Sequence, residues 1–451
     1  MGIPISQLCL QRREMLGIGL GVAGALAASG VAASPAHAAS EQHAPIGTWP
    51  AGVEGDSVFV GVIAPLTGPY SPDGGDQKLG YELAFEEINA DGPIARKWGV
   101  KGKGVLGKKI RYQIADNETK PNVAVQEQTK FITTDKAIMI SGGTASSTAV
   151  ALEELAQREK VLNMVGSSGS NATTGKDCQR YGFRSQPSAY MVSQALVPVL
   201  AKEMGKNLKV AYLTPDYTYG HSLFNSVSAG GKKYGWKVVT NQVVPIGTTD
   251  FSAALLNIAN SGADLFVNIM FGSDSVASTK QAAQFGVLKK MKMAVPNVSA
   301  FQAKEVGAGL MAGVYGTADF WWGLEDRYPL AKDFVQAFFE KNKYYPRWDA
   351  HIAYMQMFLW VLAVERTGTF YPPAVIRTLE TSKSDPFDST LGKVWYADYN
   401  HQLVRPVPVL QGKKPSEMKN PEDFYRIVEV VPGEGLLPPP GMFGCHLGSY
   451  T

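Results

Sequence analysis

Between Ser57 and Gly92 the chain reads as one strand, one loop and one helix, and that triplet constrains all that follows. Val58, Phe59, Val60, Val62 and Ile63 form a short apolar, β-branched run of the kind buried in a parallel sheet. A turn-rich loop, Pro65–Asp76, follows with Gly68, Pro69, Pro72, Gly74 and Gly75 inside it. Leu79, Leu83, Phe85 and Ile88 then recur at helical spacing, and the pattern stops near Asn89 and Gly92. This is the opening half of a βαβ unit. In open parallel sheets ligands sit beyond the carboxyl ends of the strands, so the loop Pro65–Asp76 is placed to meet one.

The alternation continues. Lys109–Ala115 reads as a strand, Pro121–Ile132 as a helix, Ala137–Ile140 as a strand, and a helix begins near Ser147. Val161–Val165 is the next strand, and around Phe183-Arg184-Ser185 the pattern restarts. The second run has helices over 189–204, 221–234, 251–260 and 275–285, with strands over 208–213, 236–244, 263–270 and 291–295. Val314–Phe320 reads as a crossing strand, and two amphipathic helices follow, Leu330–Asn342 and Asp349–Arg366, then a short one after Pro372-Pro373. Gly392–Tyr396 and Leu403–Leu410 read as strands, and in the Pro- and Gly-rich tail after Gly412 only Phe424–Val431 does. Strands alternating with helices imply α/β architecture with parallel sheets. The length of 451 residues, 45% of them hydrophobic, suffices for two cores.

One stretch carries a family resemblance. The order G-V-x-x-P-L-T-G-P, then L-G-x-x-L-A-x-x-x-I-N-A-x-G from Leu79 to Gly92, resembles the start of the leucine/isoleucine/valine-binding proteins. These are type I periplasmic substrate-binding proteins of ABC importers. The resemblance spans about residues 57–411 and implies two Rossmann-like lobes joined by a three-segment hinge. Its crossings map near Arg184, Thr317 and Gly392. That gives one lobe from 57–184 plus 317–391, a second from 185–316 plus 392–411, and a tail over 412–451.

Residues 1–38 read as a leader rather than fold. Arg12-Arg13 precede a Gly/Ala-rich apolar run, Met15–Ala33, and then Ala36-His37-Ala38. A positive start, apolar middle and A-x-A end describe a cleaved secretory signal, and the paired arginines suggest the twin-arginine route to the periplasm. A transmembrane anchor is the rival reading of the same run. Residues 39–56 show no periodicity. The formal net charge of +3, with no basic run interleaved with aromatics, argues against a nucleic-acid surface. Cys9 leaves with the leader. Cys178 and Cys445 remain as a disulfide in an oxidising compartment, or as two separate buried thiols.

Two loops offer free N–H groups and hydroxyls at first-lobe strand ends. They are Gly142–Thr148, with Ser146 and Ser147, and Gly166–Asn171, with Ser167 and Ser168. Both anion binding and plain helix capping fit such loops. The resemblance favours binding, since the family places a carboxylate-gripping serine at the position of Ser146. It also brings Tyr219, in Asp216-Tyr217-Thr218-Tyr219-Gly220, and Phe271 to the ligand from the second lobe, although a Tyr before Gly also serves as a packed loop anchor. Tyr70 either lines the mouth or is an exposed turn residue. Family members that bind α-amino acids often carry an acid where Asn297 stands. Asn297 cannot pair with an ammonium, so Asp73 or Asp274 would have to replace it. Trp321-Trp322 is either a ligand cover or core.

Enzyme readings find no support. Gly102–Lys109 nearly matches a phosphate loop, but Lys109 replaces the required Ser/Thr and a strand follows instead of a helix. There is no G-x-S-x-G, H-E-x-x-H or C-x-x-C, and the six histidines are not at metal-ligand spacing. The expectation is a monomeric periplasmic binding protein without metal or cofactor. It would pass a small amino acid, carboxylate or amide to an ABC permease in the inner membrane. The alternative is a ligand-sensing regulatory or signalling protein of the same fold.

Overall fold

The structure, a computed structural model, describes residues 55–450. The leader, its cleavage site and most of the segment 39–56 lie outside the described residues.

In chain order the first half runs β1 Ser57–Ala64, α1 Ser71–Ala90, α2 Pro93–Trp98, β2 Lys109–Asp116, α3 Pro121–Thr133, β3 Ala137–Gly142, α4 Ser146–Glu159, β4 Leu162–Val165 and β5 Gly182–Arg184. Then come α5 Ala189–Met204, β6 Lys209–Pro215, α6 Thr218–Lys232, β7 Lys237–Val244, α7 Ser252–Ala259, β8 Leu265–Asn268, α8 Gly272–Gln284, α9 Val287–Lys290 and β9 Lys292–Asn297. The last part holds α10 Ala300–Val306, α11 Ala308–Met311, β10 Tyr315–Thr317, α12 Pro329–Asn342, α13 Trp348–Thr367, α14 Pro372–Glu380, β11 Phe387–Ser389, β12 Gly392–Tyr396, β13 Leu403–Val404, β14 Val407–Gly412 and β15 Tyr425–Val431.

Two large sheets result. The first has order β2-β1-β3-β4-β5 and is parallel throughout. The second has order β15-β14-β10-β9-β8-β6-β7, parallel from β10 to β7 and closed by the antiparallel pair β14 and β15. Each sheet has a switch point, at β1/β3 and at β6/β8, where crossovers leave in opposite directions and open a crevice for a ligand.

Several differences from the sequence reading have local causes. The loop after β1 is shorter than Pro65–Asp76, because α1 already begins at Ser71 with proline in its first turn. Gly74 belongs to that turn, where a Cβ would fall 2.0 Å from the Pro65 carbonyl oxygen. Its glycine permits close packing rather than a bend. The segment Leu106–Lys109 is a tight turn closed by a Val105–Lys108 bridge that leads into β2. α13 is not amphipathic: nearly every residue from Trp348 to Val364 is buried, since α1, α14, β4 and β11 pack around it. β12 does not return to the second large sheet. It joins β11 and β13 in a small antiparallel sheet, and the return comes at Val407. β15, in the tail, extends the second sheet.

Cys178 and Cys445 are bridged, with Cα atoms 5.5 Å apart across 267 positions of sequence. The bridge holds the tail end, where Tyr181 Oη donates to the Tyr450 carbonyl at 2.6 Å and Arg180 donates to the Gly448 carbonyl at 3.0 Å. Trp321 and Trp322 are packed: Trp321 meets Tyr425 edge-on at 5.3 Å, and Trp322 stacks on Tyr345 at 4.2 Å.

Where α1 crosses α13, Glu87 accepts a hydrogen bond from Tyr354 Oη. Burial raises the Glu87 carboxyl to about 7, opposed in part by that hydrogen bond. Between its unfolded value and about 7 the folded protein keeps a proton the unfolded chain has lost, so this group's contribution to stability falls as pH rises. Glu87→Gln is expected to reduce the loss of stability between pH 5 and pH 8, measured by urea unfolding at both. An unchanged slope would remove Glu87 from that balance.

Candidate functional site

The loops at the carboxyl ends of β1, β3 and β4 meet those after β6, β8 and β9 along one seam. On the first-sheet side the hydroxyl groups form a connected network. Ser146, the first residue of α4, is buried and accepts from Ser168 Oγ at 3.2 Å and from the Ser170 amide at 3.2 Å. With both acceptor sites engaged, its own proton is free to be donated. Ser168 also exchanges a hydrogen bond with Thr173 at 2.9 Å. Ser167 accepts from Gln77 Nε2 at 2.9 Å, and Thr144 Oγ1 donates to Gln77 Oε1 at 3.0 Å. Ser147 is exposed and, unlike Ser146, does not join this buried network.

Arg184 fixes the serine loop from behind. Fully buried, it donates to the Ser168 carbonyl at 3.4 Å and to the Ser170 carbonyl. It also reaches Thr174 Oγ1 at 2.5 Å and Gln402 Oε1 at 2.8 and 2.6 Å. Burial lowers the Arg184 guanidinium to about 9, with nearby Glu153 opposing the shift.

Aromatic rings come from both sides, Tyr217, Tyr219 and Phe271 from the second sheet and Tyr70 and Trp348 from the first. Tyr219 lies against Gly169, where a Cβ would come within 2.4 Å of the ring; the serine loop needs glycine there. Burial raises the Tyr219 hydroxyl well above its ordinary value, and the Asn297 side chain lies beside it. Tyr217 neighbours Tyr219 at 6.2 Å between ring centres and Tyr70 at 6.4 Å. Tyr70 meets Phe271 edge-on at 5.1 Å, and Phe271 meets Trp348 at 5.6 Å. The two sides touch: the Ser273 amide donates to the Pro69 carbonyl at 3.3 Å.

Carboxylates complete the seam. Asp73 is buried in the first turn of α1, and burial lifts it to about 6 against the pull of Arg347. Asp349, buried in the first turn of α13, interacts with Asp73, and burial holds it well above the usual carboxylate range. Asp274 is committed to structure, accepting from the Gly247 amide at 2.8 Å. Asp319, raised to about 7 by burial, lies between Arg405 and Arg184.

The structure thus brings Ser146, Ser167, Ser168 and Tyr70 together on the first-sheet side, and Tyr219, Phe271 and Asn297 along the other. Sequence reasoning missed Gln77, Asp349 and Trp348. Asp349, an acid heading an apolar helix, was the available signal. Among the described residues no group of His, Cys, Asp and Glu could hold a metal, and no helix is long and apolar enough to cross a membrane.

Two parallel sheets with ligand loops converging from both are the plan of a two-lobed binding protein. Residues 57–417 match the family model described as periplasmic binding protein, and the chain belongs to that family. Its relatives include proteins described as Leu/Ile/Val-binding protein homologs, and the solved structures it resembles include substrate-binding proteins of ABC transporters. It is 25% identical over 359 residues to Leu/Ile/Val-binding protein homolog 7 of Brucella abortus, covering 77% of this chain and 87% of that one. A periplasmic binding protein from Burkholderia mallei superposes with a TM-score of 0.78 at 24% identity, covering 87% of this chain and 100% of that one. A solute-binding protein of Rhodopseudomonas palustris, solved with 3,4-dihydroxybenzoic acid, gives 0.72 at 21% identity, covering 84% of this chain and 98% of that one.

Arg184→Lys keeps the charge and loses the planar fork that serves four acceptors. It is expected to lower unfolding free energy by about 2 kcal/mol. Hydrogen exchange at Ser170 is expected to quicken with it. Unaltered exchange there would mean the loop is held by other contacts.

Proposed function

We propose that this chain is the extracytoplasmic solute-binding component of an ABC importer, taking a small amino acid or related carboxylate or amide between two lobes. The first lobe is built on the β1–β5 sheet with 317–404, and the second on the β6–β10 sheet with β14 and β15. Export through the twin-arginine route, a monomeric state and a permease partner in the inner membrane belong to this reading.

The observation that carries it is the buried hydroxyl network at Ser146, Ser167 and Ser168, with Tyr70 on the same side, facing the rings of Tyr219 and Phe271 across one seam. Ser146 has a proton to donate and stands at the N-terminus of a 14-residue helix, where unpaired amides and the helix dipole favour a carboxylate. Ser167 and Ser168 hold the adjoining wall. Ser147 contributes through its position in the same first turn, and Asn297 through a neutral amide. Lobe closure is favoured to the extent that ligand contacts exist only in the closed state.

Ser146→Ala is expected to weaken calorimetric affinity for a ligand found by thermal-shift screening at least tenfold, about 1.4 kcal/mol. Unchanged affinity would take Ser146 out of the site. Deletion of the gene is expected to abolish uptake of that ligand; uptake that persists would favour a sensing role.

A further inference from the structure

The acidic group on the first-sheet wall is more negative than its structural contacts require. Asp73, Asp76 and Asp349 share the Arg347 guanidinium, and Asp76 takes most of it. Arg347 Nε lies 3.2 Å from Asp76 Oδ1, and Asp76 also accepts from Tyr344 Oη at 2.9 Å and from the Ala350 amide at 3.1 Å. Arg347 spends a further donor on the Pro72 carbonyl at 3.1 Å. Asp76 is therefore satisfied, and its neighbours are not.

Asp73 and Asp349 hydrogen-bond each other through a proton that one of them keeps, and Asp73 Oδ2 and Asp349 Oδ2 are buried with no donor from any other group. Asp349 Oδ1 receives only a long bond, 3.4 Å, from Gln77 Nε2. Asp73 Oδ2 points across the seam, 3.3 Å from where a Cβ on Gly272 would stand. Burying a carboxylate oxygen without a donor costs free energy that a structural role does not recover. Around these oxygens stand Tyr70, Phe271 and Trp348, ring against ring. Two acids with only a shared proton between them, beside aromatic faces, match a cation bearing N–H groups, which replaces that proton and is attracted by the rings.

We infer that Asp73 and Asp349, with Tyr70, Phe271 and Trp348, form a subsite for the remote cationic end of the solute, an alkylammonium or guanidinium group. The inference rests on the solute-binding reading and adds the substrate class: basic solutes whose carboxylate meets the serine loops. Gln77 ties the two ends together, since its Nε2 reaches both Ser167 Oγ and Asp349 Oδ1.

The test uses the full mature chain and two matched pairs of probes in calorimetry, L-arginine against L-citrulline and L-lysine against L-norleucine. Each pair shares its α-groups and differs in the remote charge. Arginine or lysine is expected to bind at least tenfold more tightly than its neutral counterpart. Asp349→Asn is expected to erase that preference, bringing each charged probe to within about twofold of its neutral counterpart, and Asp73→Asn provides the same comparison if the first variant does not fold. Because each change removes one of two facing acids, the melting temperature of the free protein is not expected to fall. Equal affinity within both pairs, or a preference that survives both substitutions, would overturn the cationic subsite and leave the solute-binding reading standing. Binding of none of the four probes would overturn the substrate class, whereas the absence of a ligand from a broad screen would overturn the underlying reading.

Discussion

A buried guanidinium with no carboxylate in direct contact has to be held by neutral oxygens, and Arg184 is held by those of the loop that lines the seam. Its fork gathers the carbonyls of Ser168 and Ser170, the hydroxyl of Thr174 and the amide oxygen of Gln402. A loop of small polar residues would otherwise be free to move, since it has few apolar contacts to fix it. With its carbonyls drawn back to Arg184, the hydroxyls of the same loop join Gln77, Ser146 and Ser222 in the network along the seam. Gln402 adds a second consequence. It donates to the Gln186 carbonyl at 2.8 Å, so one side chain links the small antiparallel sheet, the serine loop and the passage toward α5.

The acidic wall follows a different logic. α1 and α13 cross with their first turns together, and each places a carboxylate there. An acid in the first turn is favoured by the helix dipole. Two helices meeting this way concentrate the charge beyond what Arg347 offsets. Burial pushes both groups upward, and the hydrogen bond between them raises Asp349 further while it lowers Asp73, so the pair is held together by a proton on Asp349. A site holding excess negative charge and unpaired oxygens is prepared to select for positive charge.

The order of strands and helices is readable because β1, β3 and β4 are buried apolar runs, β2 alternates along its length, and the helices between them carry helical spacing. β1 through β4 were therefore found within a few residues. The short helix α2, the three-residue strand β5 and the strand pairing of the tail were not, because segments so short have no period of their own. The environment misled the reading of α13: burial on all sides is a property of its neighbours. Tyr70, Ser146, Ser167, Ser168, Tyr219 and Phe271 could be named from loop position and resemblance. Asp349 could not, since it lies 276 positions after Asp73 in the chain and only folding makes them partners.

The sequence by itself determined an α/β chain with two runs of strand and helix, loops rich in hydroxyls and glycine at the strand ends, and two cysteines able to pair. These follow from local periodicity and turn chemistry, which act over a few residues. Tertiary structure alone decided which loops face each other, that Arg184 serves the serine loop, and that the acids heading α1 and α13 share one buried site. The physical reason is that burial and electrostatic coupling depend on distance in space. Whether a carboxylate is hydrated, paired or left waiting for a donor is settled only when the surrounding elements have packed.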